Sequence, residues 1–276
     1  MHFVVLILAL LVLSLHAMLK TPKRVLVVGG SGRVGFSVAR ALFDNGVSDI
    51  TIGGRNVANF DREIQRCNRD DIRDGFAFQQ IDIFSKDTQK LTSIIDQYDL
   101  VLNTAGPFQQ LASNPLLELC LSRPKMQYLD VCDDITLSRI VRSHKYQSLA
   151  QKYQSTAIIS AGIWPGGSSL LAKQLIEESG GPDKIQNVKF NFFTAGSGNA
   201  GATIITATFL ILGEDVLVYE NGEKVYRKTA TDIANVDFGK GIGVRDIARL
   251  NLIEAESCYQ YSRIGKSLSL SFVVYC

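Results

Sequence analysis

Three glycines carry the first chemical signal in this chain. Gly30, Gly32 and Gly35 form the pattern G-x-G-x-x-G inside VLVVGGSGRVG, with Gly29 just ahead of them. The strand-like run Arg24 to Val28, apolar from Val25 on, leads into the glycines, and Val34, Val38, Ala41 and Leu42 follow at helical spacing. A strand that breaks into glycines and then into a helix is suited to holding a phosphate. The first glycine permits the tight turn, the second lets the backbone approach a pyrophosphate, and the third lets helix and strand pack closely. The helix start supplies amides and positive potential. Ser31, Arg33 and Val34 occupy the intervening positions of the same cradle. After a strand and before a helix, the motif predicts a bound dinucleotide.

Which dinucleotide depends on the loop after the second strand. Asp49 to Ile52 ends in Gly53-Gly54-Arg55-Asn56, with no carboxylate to grip the two ribose hydroxyls. The guanidinium of Arg55, with Asn56 beside it, suits the extra 2′-phosphate of NADP(H). Asp82 stands near the end of a third strand, Phe76 to Ile83. Asn103, Ala105, Gly106 and Pro107 belong to the NTAGPF turn after a fourth strand, Asp99 to Asn103. That turn falls on the carboxyl edge of the sheet, where the nicotinamide half is expected.

No side chain announces itself as catalytic. Asp133 and Asp134 follow a fifth strand, Gln127 to Val131, on the rim where ligands bind, and a helix N-cap is the competing explanation for one of them. His144 sits among Arg142, Ser143 and Lys145 and is expected mid-helix on a solvated face. Trp164, in GIWPGG, suits either a wall of the nicotinamide pocket or ordinary packing. Cys67, Cys120, Cys132, Cys258 and Cys276 are scattered without a CxxC, so no metal cage or disulfide framework is expected. They read as reduced thiols, mostly buried.

The elements that must position these groups alternate regularly. A helix spans Asp87 to Gln97, and Asn114-Pro115 opens another. A further helix carries Leu137, Ile140, Val141 and Leu149, and a sixth strand covers Ala157 to Ser160. Six strands alternating with helices predict an α/β fold, a Rossmann-type doubly wound parallel sheet with right-handed crossovers. A second, partly antiparallel α+β domain is expected to follow the helix at Ser168 to Glu177. There Ile185 to Thr194 alternates, placing Val188, Phe190 and Phe192 on one face. Asp215 to Glu220 and Glu223 to Lys228 flank Asn221-Gly222, a type I′ hairpin signal. The predicted organisation is an N-terminal segment (1–20), a nucleotide domain (21–167) and a substrate or dimerisation domain (168–276).

The 276 residues carry 46% hydrophobic side chains, enough for sizeable cores, and a formal net charge of +2. Lys and Arg are spread without a basic face, so no nucleic-acid partner is expected, and a small-molecule substrate is. Residues 3–15 differ in kind, because FVVLILALLVL is uncharged and apolar. That run is shorter than a membrane span but matches a signal-peptide core. Two readings stand: secretion or membrane association through residues 3–15, or a cytoplasmic or organellar protein in which that segment is buried or Met18 is the effective start.

The series VLVVGGSGRVG, Gly54-Arg55, LNTAGPF, YLDVCDD and SAGIWPGGSSLLA resembles the NADP-binding domain of the saccharopine dehydrogenase-like family, in that order and spacing. The resemblance implies an NADP-linked oxidoreductase acting on a carbon–nitrogen bond of an amino-acid-like substrate, with the Rossmann domain followed by an α+β domain. A short-chain dehydrogenase is the rival enzyme class, since Gly29, Gly32 and Gly35 also fit its glycine spacing. That class needs a Tyr four residues before a Lys, and no tyrosine here has one. A non-catalytic NADP-binding or scaffold protein is the rival of another kind. After Glu254 the expected return to the first domain is missing. LSLSFVVYC reads as poor material for closing a domain, which predicts an incomplete second domain and weak activity or none.

Overall fold

The computed structural model describes residues 23–195, 209–262 and 267–275. The apolar segment 3–15, residues 196–208 and Cys276 lie outside them. The chain divides between Ile163 and Trp164 into two compact units.

The first unit is built on a six-stranded parallel sheet in the order β3-β2-β1-β4-β5-β6. Its strands are β1 (Arg24–Val28), β2 (Asp49–Gly54), β3 (Phe76–Gln80), β4 (Leu100–Asn103), β5 (Gln127–Asp130) and β6 (Thr156–Ile158). This is the doubly wound arrangement expected from the alternation. The run VLVV is apolar at every position because both faces are covered. Val25 and Val27 join Leu100, Leu102 and Ile52 in one core layer, while Leu26 and Val28 join Val101 and Tyr128 in the other. Fully burying side chains of this size contributes roughly 1.5–3 kcal/mol each, so β1 anchors both layers.

Helix α1 (Arg33–Asp44) follows the glycines. Two helices that periodicity did not announce, α2 (Val57–Cys67) and α3 (Asp70–Gly75), lie between β2 and β3. Each buries one isoleucine, Ile64 or Ile72, too little to print an apolar stripe. Helices α4 (Thr88–Ile95) and α5 (Pro115–Leu121) then cover the sheet. Two boundaries correct the sequence reading. The third strand ends at Gln80 rather than Ile83, because Asp82 turns the chain: its Oδ1 accepts from the Phe84 amide at 3.1 Å. The helix after Asp134 is two helices, α6 (Ile135–Val141) and α7 (His144–Tyr153). Ser143 is extended between them at ψ 163° and starts the second, the position serine prefers. His144 is therefore the first residue of α7, not a mid-helix residue.

The second unit holds helix α8 (Gly167–Glu178), a four-stranded sheet, a two-stranded ribbon and helix α9 (Glu254–Ser262). The larger sheet has the order β7-β12-β8-β9, with β7 (Asn187–Ala195), β8 (Val216–Glu220), β9 (Glu223–Arg227) and β12 (Ser267–Tyr275). Strands β10 (Ala234–Asp237) and β11 (Val244–Ile247) make the antiparallel ribbon. The β8–β9 hairpin turns through Asn221 and Gly222 at φ 52° and 82°, as a type I′ turn requires. Phe190 and Phe192 lie with Leu217, Tyr219, Leu252 and Cys258 in one core, which Val188 borders. The tail forms a strand: β12 pairs in parallel with β7 from Ser267↔Asn187 to Tyr275↔Ala195, and antiparallel with β8 at Leu268↔Tyr219. Backbone pairing on both sides gives this segment a central place despite its polar-apolar alternation.

Among the described residues no helix is long and apolar enough to cross a membrane.

Candidate functional site

The glycine loop is tied down by its own backbone. Gly29 N donates to Gly53 O at 2.9 Å, Gly30 N to Val27 O at 3.0 Å, and Gly32 N to Gly29 O at 2.9 Å. Gly29 has φ +74°, and a Cβ there would lie 2.8 Å from the Ala105 amide nitrogen. A Cβ on Gly35 would lie 2.5 Å from both Gly29 O and Thr104 Oγ1. The loop after β1 thus nests against the turn after β4, and only glycine lets them approach so closely. Gly32 is different, since its Cβ would meet a single atom, Gly29 O, at 3.1 Å. Helix α1 starts at Gly32 with no side-chain cap and no acidic residue in its first turn. An uncapped helix start behind a glycine cradle offers amides and positive potential to an anion, so these residues fit a dinucleotide pyrophosphate. Arg33 and Val34 lie exposed on that first turn, with Ser31 half-buried before it.

Gly54 brings the end of β2 against the same loop, because a Cβ there would sit 2.8 Å from Ser31 Oγ. Arg55 follows, exposed, its side chain making no hydrogen bond or ion pair among the described residues, while its carbonyl accepts from Gln80 Nε2 at 3.1 Å. The guanidinium at the end of β2 is therefore open to solvent. Asn56 is occupied otherwise: it caps α2, accepting from the Ala58 amide at 2.9 Å. Asp82 stands exposed on the turn past β3.

The turn after β4 is held by a buried polar network. Asn103 Oδ1 accepts from the Ala105 amide at 3.0 Å, and its Nδ2 donates to the Tyr128 hydroxyl at 3.1 Å. Asn114 Nδ2 donates to the same hydroxyl at 3.1 Å. Tyr128 donates in turn to Asp130 Oδ2 at 3.1 Å, while Asp130 Oδ1 accepts from the Cys132 and Ser160 amides at 3.1 and 2.8 Å. One carboxylate therefore ties together the carboxyl ends of β4, β5 and β6. Burial pushes that carboxyl above its ordinary value, against the pull of the two amides and the tyrosine. Gly106 and Pro107 follow Ala105 on the turn, half-buried and exposed respectively. Thr104, which the motif reading passed over, donates from Oγ1 to Val28 O at 2.8 Å and carries the contact with Gly35.

The two rim aspartates separate in role. Asp134 caps α6, accepting from the Leu137 amide at 2.6 Å. Asp133 Oδ1 accepts from Gln109 Nε2 at 2.7 Å, and burial pushes its carboxyl above the usual value. His144 is exposed and meets Ser148 Oγ at 3.1 Å through Nδ1. Trp164 packs on Phe192, ring centroids 5.0 Å apart, in the core of the second unit. Cys67, Cys120, Cys132 and Cys258 are free thiols. Burial pushes Cys132 up to about 12, which removes it as a nucleophile. Among the described residues no group of three or more His, Cys, Asp or Glu could hold a metal ion.

Residues 25–162 match the family described as the saccharopine dehydrogenase NADP binding domain, and the chain belongs to that family. Its first unit is accordingly an NADP-binding domain of Rossmann type. None of the curated proteins matches the sequence. Among solved structures, Pen from Bacillus thuringiensis is 14% identical with a TM-score of 0.40, over 63% of this chain and 59% of that one. Shikimate 5-dehydrogenase from Listeria monocytogenes, in complex with shikimate and NAD, is 17% identical with a TM-score of 0.39, over 58% and 54%. AtPrR2 in apo form is 16% identical with a TM-score of 0.37, over 64% and 59%. The chain thus spans little more than half the length of these structures.

Proposed function

We propose that the chain is an NADP(H)-dependent oxidoreductase whose hydride transfer takes place at a carbon–nitrogen bond of an amino-acid-like substrate. The observation that carries the cofactor preference is Arg55, exposed at the end of β2 beside the glycine loop, where no carboxylate stands. Gly29, Gly30, Ser31, Gly32, Arg33, Val34 and Gly35 would hold the pyrophosphate. Arg55 would hold the 2′-phosphate, with Asn56 acting on it only through the helix it caps. Asp82 would face the adenosine half, and Asn103, Ala105, Gly106 and Pro107 would shape the nicotinamide rim. The bound cofactor supplies or accepts the hydride; the protein's part is to bind, orient and exchange the proton. The substrate class rests on the family resemblance. A homodimer and membrane attachment through residues 3–15 belong to the same proposal.

The test is direct. NADPH and NADH are titrated into the full chain, and a panel of L-amino acids and imino acids is assayed for cofactor turnover. Tighter NADPH binding with turnover of at least one member supports the reading. Binding without any turnover would leave a non-catalytic NADP-binding protein.

A further inference from the structure

We propose that Asp133 exchanges a proton with the substrate nitrogen at the nicotinamide rim, and that Gln109 is the residue that positions it. The inference rests on the oxidoreductase reading above. The loop after β4 supplies Gln109 and the loop after β5 supplies Asp133, and they meet at 2.7 Å between Nε2 and Oδ1. Gln109 is only 8% exposed, and its Oε1 is buried without a hydrogen-bond partner. A buried amide oxygen left in that state is uncommon in folded proteins and asks for an explanation.

The chemistry of an amide provides one. Gln109 carries a donor and an acceptor on one rotatable plane. While Asp133 is ionised, Nε2 donates to Oδ1, as observed. When Oδ1 carries a proton, the amide turned over presents Oε1 as the acceptor for it. The contact therefore survives in both charge states, and the acceptor idle in one state is used in the other. The neighbouring carboxylates have no such freedom, since Asp134 is spent capping α6 and Asp130 accepts three hydrogen bonds.

The groups facing Asp133 act in known directions. Burial pushes its carboxyl up, the Gln109 hydrogen bond pulls it down, and the charge of Asp134 adds to the rise. Cys132, next to it, is a neutral thiol. The step itself is a single proton transfer. The Asp133 carboxylate takes a proton from the substrate ammonium, the N–H bond breaks, an O–H bond forms, and nitrogen keeps the electron pair. The reverse step returns the proton when the nitrogen must be charged.

The experiment uses the full chain saturated with NADP+ and carrying 13C at the aspartate carboxyl carbons. The Asp133 resonance is identified by its loss in Asp133→Asn and followed with pH in wild type, Gln109→Ala and Gln109→Glu. A wild-type midpoint above the ordinary aspartate value, moved further up in Gln109→Ala and in Gln109→Glu, supports the proposal. The glutamate variant keeps the side-chain length should the alanine variant fail to fold. An ordinary midpoint, indifferent to residue 109, overturns it. NADP+ reduction with the L-amino acid panel gives the second reading. Asp133→Asn should lower kcat/KM about 100-fold or more with NADP+ affinity kept within about twofold, and the pH limb should follow the NMR midpoint in Gln109→Ala. Turnover with a limb that ignores residue 109 overturns this proposal alone. Absence of turnover with a normal titration response sinks the oxidoreductase reading and takes this proposal with it.

Discussion

The Tyr128 hydroxyl donates a hydrogen bond to Asp130 Oδ2 at 3.1 Å while accepting hydrogen bonds from the side-chain amides of Asn103 and Asn114. All four side chains are buried. The hydroxyl is thus saturated, and it links a carboxylate at the end of β5 to the turn that follows β4. Through Asn103 Oδ1 the linkage reaches the Ala105 amide, part of the proposed nicotinamide rim.

Tyr128→Phe removes one oxygen and strands three partners. Each buried polar group left unpaired costs about 1–3 kcal/mol, and partial relaxation offsets some of it. We expect a loss of about 2–4 kcal/mol in unfolding free energy, read as a lower denaturant midpoint at unchanged slope. A loss below about 1 kcal/mol would mean the network does not hold the rim.

Asp130 imposes a pH dependence of definite sign. Burial raises its carboxyl above the unfolded value of 3.8, so the folded chain holds that proton more tightly than the unfolded chain does. Its contribution to stability is fully present below 3.8 and is lost as pH rises through the folded value. Subtracting the stability profile of Asp130→Asn from that of wild type should leave a curve that falls with rising pH and then flattens. A difference curve that climbs with pH would contradict the assignment.

The third glycine of the motif is a packing residue and the second is not. Gly35→Ala would press a methyl 2.5 Å from Gly29 O and Thr104 Oγ1 and 2.7 Å from the Gly30 Cα. Overpacking of this kind costs about 1–3 kcal/mol, so thermal stability should drop clearly. Gly32→Ala meets one atom at 3.1 Å and should change the melting temperature little, while weakening NADPH binding where the backbone must approach the pyrophosphate. Calorimetry paired with fluorescence titration separates the two effects, and equal stability losses would refute the distinction.

Arg55→Ala should weaken NADPH about ten- to a hundredfold, corresponding to about 1.5–3 kcal/mol for one charge-assisted phosphate contact. NADH affinity should stay nearly unchanged, since it lacks the 2′-phosphate. If wild type already binds both cofactors equally, Arg55 is not the discriminator.

The parallel sheet was legible because β1 is apolar at every position from Val25 to Val28, which a strand covered on both faces needs. The glycine loop was legible because its spacing is set by backbone geometry rather than by distant partners. The hairpin at Asn221-Gly222 followed from left-handed backbone preference alone. Other features depend on contacts that local sequence does not display. Asp130 is an ordinary strand-end aspartate until Asn103, Asn114 and Ser160, each from a different stretch, converge on its network. Gln109 sits in a turn with no period to read. The break at Ser143 hides inside a continuous apolar rhythm, and α2 and α3 bury too little to show one. The alternation of β12 was visible, but nothing in it names a parallel partner.

The placement of β12 bears on the order in which the protein can assemble during synthesis. Strands β7 and β8 flank it, yet both leave the ribosome well before residues 267–275 exist. The first unit has all six strands by Ile158 and can close on its own contacts. The second sheet must wait with a gap at its centre, its flanking backbone groups exposed to chaperones or to the wrong strand. Nascent chains arrested after Ser262 should therefore show a protease-resistant nucleotide unit joined to a second unit that is still cleaved. Resistance in both halves at that length would show that the gap closes by another route.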